Sequence, residues 1–304
     1  MNIFEIKAKY EKGNLSKQKY IEMMHQIHTI LFEYAEFIHD TDIASIEISD
    51  GNVIMTSRAD GIKILCDKND YRLAPIEILN FSGYEKSELE IIKKLIGHNF
   101  TIFDIGANIG WYSLLLSKTF KDSSIYSFEP IPKTYLQLKR NIELNGTHNI
   151  HVFNFGFSDQ TGPLTFYYYP EGSGNASAAK LTDTPSIQKM TCKVKKLDDF
   201  VKQKQIGIDF IKCDVEGAEL FVFQGGLESI RQNKPIIFTE LLRKWSAKFN
   251  YHPNSIIDLL VKEGYHCFSV KDGRLSGIDE ITDSTIETNF FFLHERSHAR
   301  QIKK

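Results

Sequence analysis

Hydrophobic residues recur every three or four positions over the first part of the chain. The resulting stripe runs from Ile21 to Ile38, and this spacing predicts an amphipathic helical segment over residues 1–38. We expect its apolar face to pack on its own domain, with a dimer contact or a substrate lid as the alternatives. Short alternating runs follow, broken at Asp50-Gly51-Asn52 and Asp60-Gly61, and they predict a small antiparallel sheet.

Over residues 81–298, apolar strand-like runs alternate with amphipathic helix-like runs. This alternation predicts a mostly parallel sheet with helices on both faces. The rhythm breaks at residues 156–196, where we predict a β insertion whose segment 170–182 is a mobile lid. The chain is thus divided into an N-terminal helical and β module (1–80), an α/β domain that carries the insertion, and a frayed tail (299–304).

Composition narrows the classes of protein to consider. Hydrophobic residues make up 42% of the 304 residues and charged residues 25%, which is ordinary for a water-soluble protein. The balance of 37 Lys+Arg against 39 Asp+Glu argues against a nucleic-acid partner. The four cysteines are far apart, so a zinc or disulfide framework is not expected. Without a signal-peptide pattern or a membrane span, we expect a cytoplasmic protein.

A glycine-rich turn joins a strand-like run to a helix-like run. Strand, glycine turn and helix form the architecture of a nucleotide site, in which the backbone approaches the ligand closely. A dinucleotide fingerprint would require glycines where Asn108 and Trp111 stand. The turn suits a ligand with a carboxylate and an amine, such as S-adenosylmethionine, with Asp104 available for the ammonium. The candidate residues of the turn are Gly106, Ala107, Asn108 and Gly110.

Two neighbouring strand ends extend the candidate cofactor site. Glu129, followed by Pro130, lies 25 positions after the aspartate that precedes the glycine turn. An acidic residue at this place accepts hydrogen bonds from ribose hydroxyls. Phe157, Ser158 and Asp159 end the third strand-like run, where we expect them to border the adenine, although a plain turn remains the alternative.

Carboxylates follow the next two strand-like runs. Asp214 and Glu216 come after one run and Glu240 ends the other. Acidic side chains that converge at strand ends suit a general base or a hard-metal site. We favour a carboxylate base, with Asp214 also bordering the cofactor, over a divalent metal. Helix capping for the first two, and an ion pair with Arg243 or Lys244 for the third, are the structural alternatives.

These segments together resemble the FkbM-type family of S-adenosylmethionine-dependent methyltransferases. FDIGANIGWYS, YSFEPIP, FGFSDQTG and DFIKCDVEGAELFVFQGG carry the resemblance, which spans residues 83–240. It implies a Rossmann-like class I fold, with a seven-stranded, mostly parallel sheet whose last strand is antiparallel. It also implies methylation of hydroxyls on sugars or other secondary metabolites.

We therefore expect an O-methyltransferase that acts on a small-molecule or glycan acceptor by in-line methyl transfer with a carboxylate base. Two alternatives remain open: a nucleic-acid methyltransferase, and a non-catalytic binding module that keeps the fold. The [DN]PP[YF] signature of amino-methylating enzymes is absent from the sequence, which counts against the first. A nicotinamide-dependent dehydrogenase is disfavoured by the composition of the glycine turn.

Overall fold

A computed structural model describes residues 1–83 and 85–302 of the chain. Tyr84, near the start of the segment that carries the family resemblance, lies outside the described residues. So do residues 303–304 of the predicted tail.

Thirteen α-helices and fourteen strands are formed by the described residues. The helices are α1 Ile3–Glu11, α2 Lys17–His28, α3 Ile30–Phe37, α4 Ala74–Phe81, α5 Lys86–Leu95, α6 Trp111–Thr119, α7 Pro132–Asn145, α8 Leu197–Lys204, α9 Glu219–Gln224, α10 Leu227–Asn233, α11 Arg243–Ser246, α12 Asn254–Val261 and α13 Ala299–Ile302. The strands are β1 Ile43–Ser49, β2 Asn52–Ser57, β3 Lys63–Leu65, β4 Thr101–Ile105, β5 Ser124–Phe128, β6 Ile150–Phe153, β7 Gly156–Phe157, β8 Gly162–Tyr168, β9 Gln188–Lys195, β10 Phe210–Cys213, β11 Ile236–Glu240, β12 Tyr265–Lys271, β13 Arg274–Ile278 and β14 Asn289–His294.

The central sheet has the order β13-β12-β14-β11-β10-β4-β5-β6. Strands β6, β5, β4, β10 and β11 pair in parallel, and β14 runs antiparallel to both β11 and β12. Strand β10 is buried along its whole length, and β4 and β11 are buried except at one end. Helices cover both faces of such a sheet, which explains why these strands read as continuous apolar runs. The α/β fold with an antiparallel last strand is therefore confirmed.

The sheet has eight strands, one more than the seven expected. The additional strand β13 pairs antiparallel with β12 at the sheet edge. Asp272 and Gly273 between them both have positive φ, as a tight hairpin turn requires. Because β13 is short and partly exposed, its hydrophobic pattern is too weak to predict a strand.

The N-terminal sheet β1-β2-β3 is joined to the main core. Ile43, Ile62 and Ile64 belong to the same buried hydrophobic cluster as Leu114 of α6. Asn141 and Asn145 of α7 accept hydrogen bonds from the exposed edge of β3, at 3.0 and 2.9 Å. A domain boundary at residue 80 stays a prediction, since core contacts cross it.

The first 38 residues differ from the expected packing. Three helices form, and no residue of α2 or α3, both fully described, is buried. Of the predicted stripe, Ile38 packs against the main core, whereas its positions within α2 and α3 are half-buried or exposed. Hydrophobic periodicity predicts the helix and its apolar face, but not the body that covers that face.

The β insertion forms a separate three-stranded sheet with the order β7-β9-β8. It begins at Gly156, so the chain leaves the central sheet after β6.

At the other end of the chain, the predicted fraying is not found over Ala299–Ile302, which is helical. Ile302 packs against the main core, and this contact orders the segment. Among the described residues, no helix has the length and apolarity needed to cross a bilayer.

Aromatic rings fill the core on the face of the sheet that α8 covers. The ring of Phe200 lies 5.1 to 5.9 Å, between centroids, from five other phenylalanine rings. Tilted and edge-on pairs at such distances add to the stability gained from burial. This cluster holds the ends of β5, β6 and β7 in place below the site.

We expect Phe200→Ala to lower the free energy of unfolding by roughly 3–5 kcal/mol, the range for a large aromatic truncated in a core. Phe200 is 1% exposed, whereas Phe81 is 73% exposed. The matched control Phe81→Ala should change stability by less than about 0.5 kcal/mol. Urea denaturation followed by circular dichroism measures both. If both substitutions lowered the free energy of unfolding equally, the Phe200 ring would not contribute to the core as described.

Candidate functional site

A cavity of about 550 Å³ lies where β4, β5, β10 and β11 end. The carboxyl ends of parallel strands meet at one edge of a sheet, and ligands of open α/β folds bind there. Its walls come from the glycine turn after β4, the loop after β10, the end of β11 and the lid segment. The position of the cavity is therefore the one that the sequence predicts.

The glycine turn approaches the loop after β10 very closely. Gly106 has φ +77°, and a Cβ atom there would lie 1.8 Å from the carbonyl oxygen of Asp214. Gly110 has φ +95°, and a Cβ atom there would lie 2.5 Å from Leu138 Cδ1. Only glycine satisfies both the backbone angle and the space at these two positions. The first glycine thus lets the glycine turn and the acidic loop touch.

Glu129 links the end of β5 to the glycine turn. Its side chain is 5% exposed, and its carboxylate accepts hydrogen bonds from the backbone N–H of Asn108 (3.0 Å) and of Ile131 (2.8 Å). Burial raises the pKa of Glu129 to about 7. The side chain also lines the cavity, so the same carboxylate holds the turn and faces the ligand space.

Lys212 places a buried positive charge beneath the cavity. Its Nζ lies 3.6 Å from Asp104 Oδ1 and 3.3 Å from Asp214 Oδ2, and it donates to the carbonyl of Gly106 at 3.1 Å. Burial alone lowers the pKa of Lys212, but the surrounding carboxylates outweigh it and the pKa is raised. A buried ammonium with two partners stays charged. Lys212 thus connects β4, β10 and the glycine turn.

Three carboxylates converge on the other side of the cavity. Oxygens of Asp214, Glu216 and Glu240 all lie within 4.8 Å of one another. Burial, and then the charge of Asp214, raise the pKa of both glutamates well above the ordinary value. Within the described residues, Asp214 Oδ1 and Glu216 Oε2 are buried without a hydrogen-bond partner. The cluster can accept a proton or hydrogen bonds from a hydroxyl, and its oxygens are of the kind that a hard cation binds.

The loop that carries this cluster is held from behind by Glu219. Its carboxylate is 1% exposed and accepts hydrogen bonds from the N–H groups of Val215 (3.0 Å) and Gly217 (3.1 Å). The hydroxyl of Tyr251 donates to it at 3.3 Å. Burial raises the pKa of Glu219 to about 7. Glu216 has φ +54°, and these bonds stabilise that backbone conformation.

The predicted lid segment reaches across both loops. Ser173 Oγ donates to Asn108 Oδ1 at 3.1 Å, and Ser177 Oγ donates to the carbonyl of Glu216 at 2.8 Å. The N–H of Ser173 donates to Asp70 Oδ2 at 3.0 Å. The segment therefore contacts the glycine turn and the acidic loop at once.

The structure brings most of the sequence-predicted residues together. The cavity is lined by the following predicted residues: Gly106, Ala107, Asn108, Glu129, Pro130, Asp214, Glu216 and Glu240. These positions follow strands that are neighbours in the sheet. Motifs that are far apart along the chain thus lie together in the lining of one cavity.

Five predicted residues are not part of the cavity lining, and their contact with a cofactor stays a prediction. Asp104 is fully buried, where it accepts from Ser113 Oγ and faces Lys212. The others are Gly110, Phe157, Ser158 and Asp159. The Phe157 ring packs 4.5 Å from that of Phe128 inside the aromatic cluster. The turn after it is held to the insertion sheet, because the N–H of Ser158 donates to the carbonyl of Lys195 at 3.0 Å.

Several lining residues escaped the sequence interpretation. Glu85 begins α5 with φ +45°, and it accepts hydrogen bonds from Asn289 at 3.0 Å and from the hydroxyl of Tyr112. Burial raises the pKa of this carboxyl. Trp111, Lys244 and Trp245 also line the cavity. Of these residues, the sequence could have indicated only Trp111 and Tyr112, which follow the glycine turn. The start of a helix beside such a turn faces the ligand.

Comparison with known proteins agrees with this architecture. The methyltransferase FkbM domain family matches residues 104–267, more than half of the chain. Methyltransferase sdnD of Sordaria araneosa is 31% identical over 153 residues, covering 41% of this chain and 59% of that protein. Methyltransferase 1 of Beauveria bassiana is 28% identical over 145 residues, covering 41% and 57%. The chain thus spans less than two thirds of the length of these relatives.

Two further proteins are similar at lower identity. The 2-O-methyltransferase NoeI of Sinorhizobium fredii is 24% identical over 190 residues, covering 58% of this chain and 76% of that protein. The crystal structure of methyltransferase FkbM from Methylobacillus flagellatus KT is 18% identical, with a TM-score of 0.42 over 75% of this chain and 55% of that one. On the family match, and with a Rossmann-like α/β fold, the chain belongs to the methyltransferase FkbM domain family.

Proposed function

We propose that this protein transfers the methyl group of S-adenosylmethionine to a hydroxyl of a small-molecule or glycan acceptor. The observation that carries the proposal is the joint lining of one cavity by the glycine turn, Glu129 and the cluster of Asp214, Glu216 and Glu240. Family membership supports methyl transfer. Similarity to the 2-O-methyltransferase NoeI supports transfer to oxygen.

The residues of the cavity fit this cofactor. Glu129 offers carboxylate oxygens to the ribose hydroxyls, and the glycine turn lets the backbone lie close to the ligand. Asp104, which is buried behind the wall, acts through Lys212 instead of reaching the ammonium itself. We assign that contact to Asp214, which lies against Gly106 and lines the cavity. The cofactor supplies an activated methyl group, so the protein mainly has to align the acceptor.

The acidic cluster prepares the acceptor hydroxyl. Burial, and then the nearby charge of Asp214, raise the pKa of Glu216 and of Glu240. A carboxylate with a raised pKa is a stronger base near neutral pH. A proton taken from the hydroxyl can thus be held within the cluster of Asp214, Glu216 and Glu240. The lid above it excludes water, which strengthens these electrostatic interactions.

The charge of the cavity favours a neutral, hydroxyl-rich acceptor over nucleic acid. Carboxylates lining it outnumber cations: they are Glu77, Glu85, Glu129, Asp214, Glu216 and Glu240, against Arg72, Lys212 and Lys244. Two of these cations are also paired, since Arg72 contacts Glu77 at 2.6 Å and Lys212 contacts Asp214. When these carboxyls are ionised, such a wall would repel a polyanionic phosphate backbone.

Cofactor affinity should depend on pH through Glu129. Ribose hydroxyls donate to the ionised carboxylate, so affinity for S-adenosylhomocysteine should increase as the pH rises from 6 to 8 through the pKa of about 7. Glu129→Gln should weaken binding by roughly 1.5–3 kcal/mol and reduce this pH dependence. Calorimetry measures both. Glu143→Gln, on the exposed side of α7, is the control, and an unchanged pH profile in Glu129→Gln would refute the assignment.

Asp214→Asn should reduce turnover by about 10²–10⁴-fold, the usual contribution of a general base. The amide keeps the size of the side chain but removes its charge. Because the lost ammonium contact should also weaken cofactor binding, the rate is measured at saturating cofactor. Transfer of labelled methyl from S-adenosylmethionine to glycan and small-molecule extracts measures the rate. Asp258→Asn, exposed on α12 and outside the cavity lining, is the matched control.

The same assay distinguishes a base from a metal and from a binding module. EDTA should leave the rate unchanged; loss of activity that Mg²⁺ restores would favour a metal at the cluster instead. Near-wild-type turnover of Asp214→Asn without any effect of chelation would mean that the cluster is structural. Absence of transfer to every acceptor, together with intact cofactor binding, would favour the non-catalytic module.

The segment 170–182 should close over the bound cofactor. Amides there should exchange rapidly in the free protein and slow on addition of S-adenosylhomocysteine, because the ligand adds contacts beneath the segment. Hydrogen exchange with mass spectrometry measures the change, and β8 serves as the internal reference. Replacing Ser173 and Ser177 by alanine removes both hydrogen bonds to the loops and should abolish the slowing. High protection in the free protein would contradict a mobile lid.

A further inference from the structure

The loop between β3 and α4, residues 66–73, brings the N-terminal module to the cavity. Arg72 of this loop lines the cavity, as do Ala74 and Glu77 at the start of α4. All three precede the family match, which begins at residue 104. Part of the cavity wall is therefore supplied by a segment that lies outside the family match.

Asp70 is a buried acidic residue in this β3–α4 loop. It is 5% exposed, and each of its side-chain oxygens accepts a hydrogen bond from a backbone N–H. Oδ1 accepts from the N–H of Arg72 at 3.0 Å, and Oδ2 accepts from the N–H of Ser173 in the lid segment at 3.0 Å. Hydrogen bonds to a carboxylate are stronger than those between neutral groups. One side chain thus holds both its own loop and the lid segment.

A backbone contact runs beside these two bonds. The N–H of Tyr71 donates to the carbonyl of Glu171 at 3.2 Å, so the segments 70–72 and 171–173 lie side by side. The lid segment reaches the glycine turn and the acidic loop differently, through serine hydroxyls. The β3–α4 loop therefore fixes the backbone at the start of the lid segment, and serine side chains extend from there to the site.

Ser173 is the residue at which the two sets of contacts meet. Its N–H is bound by Asp70, and its Oγ donates to Asn108 Oδ1 in the glycine turn at 3.1 Å. Because Ser173 is 7% exposed, water does not readily replace either bond. The place at which Asp70 holds the backbone of Ser173 thus determines whether the hydroxyl reaches the glycine turn.

The β3–α4 loop is itself attached to the α/β domain. Asp67 Oδ2 lies 2.8 Å from Lys133 Nζ on α7. The side-chain amide of Gln137 on the same helix donates to the carbonyl of Leu65, at the end of β3, at 2.7 Å. Leu138 of this helix is fully buried, so α7 is packed into the domain. The carboxylate of Asp70 is therefore a fixed point against which a mobile lid can close.

We propose that Asp70 is a positioning residue for the lid. It places Ser173 where that residue reaches the glycine turn, and it thereby sets the closed position of segment 170–182 over the cavity. The inference rests on the proposed function in so far as this segment closes over a bound cofactor. It adds a role for the N-terminal module, which methyl transfer by itself does not require.

Hydrogen exchange of the full chain at labelling times of milliseconds to seconds tests this role without a cofactor. The peptide that contains Ser173 should exchange roughly tenfold or more faster in Asp70→Ala than in the wild type, because loss of a hydrogen bond to a charged group favours local opening. Asp70→Asn keeps a carbonyl oxygen for one of the two donors and should have a smaller effect. Asp40→Ala, whose side chain is 94% exposed in the same module, is the matched control and should change nothing.

The same variants are then compared with S-adenosylhomocysteine bound. The ligand should slow exchange across segment 170–182 in the wild type and in Asp40→Ala, and Asp70→Ala should lose most of this slowing. Because an unheld lid opens more often, the ligand should also dissociate roughly tenfold faster from Asp70→Ala, which stopped-flow competition measures. Should Asp70→Ala fail to fold, Asp70→Asn carries both comparisons.

Equal exchange of the lid segment in the wild type and in both Asp70 variants would overturn the proposal. Faster exchange that is spread evenly over β1, β2 and the lid segment would overturn it as well, because Asp70 would then stabilise the module in general. Failure of S-adenosylhomocysteine to bind the wild type in calorimetry would count against the proposed function instead. The comparison in the free protein would then still decide the role of Asp70.

Discussion

The site depends on one buried positive charge. Lys212 lies between Asp104 on β4 and Asp214 after β10, and it also holds the carbonyl of Gly106. These two strands are neighbours, with Lys212 and Asp104 directly paired in register. Removal of one partner from such a group would leave an uncompensated charge in the core, which is strongly destabilising. The strand ends are therefore positioned by electrostatics as well as by the sheet.

Much of the candidate site could be predicted because parallel strands end at one edge. The glycine turn, Glu129 and the acidic residues after β10 and β11 each follow a strand, so their proximity is a consequence of sheet topology. The same argument fails for Phe157. Its position after a strand-like run is correct, but Gly156 and Phe157 pair with β9 of the insertion and not with the central sheet.

Other differences arise from features that a linear pattern does not contain. Whether Asp104 faces a ligand or a lysine is decided by its neighbour across the strands, which lies over a hundred positions away. Whether the apolar stripe of the first helices is covered depends on what packs against it, which the spacing of hydrophobic residues does not reveal. Glu85 lines the cavity from the start of a helix, and no motif marks it. Short-range spacing thus predicts elements and their ends, while contacts distant in sequence decide which side chains meet.

The glycine turn and the insertion form two walls of the cavity, and these walls differ in how well they tolerate amino-acid substitutions. Any side chain at Gly106 would collide with the backbone of Asp214, so that part of the cavity is fixed in shape. The segment around Ser173 and Ser177 contacts the site through side-chain hydrogen bonds from a sheet of its own. Exchange of the insertion would therefore remodel the wall around Ser173 and Ser177 while the wall around Gly106 keeps its shape. If the protein has the proposed function, residues 156–196 are then the natural place to engineer a new substrate range.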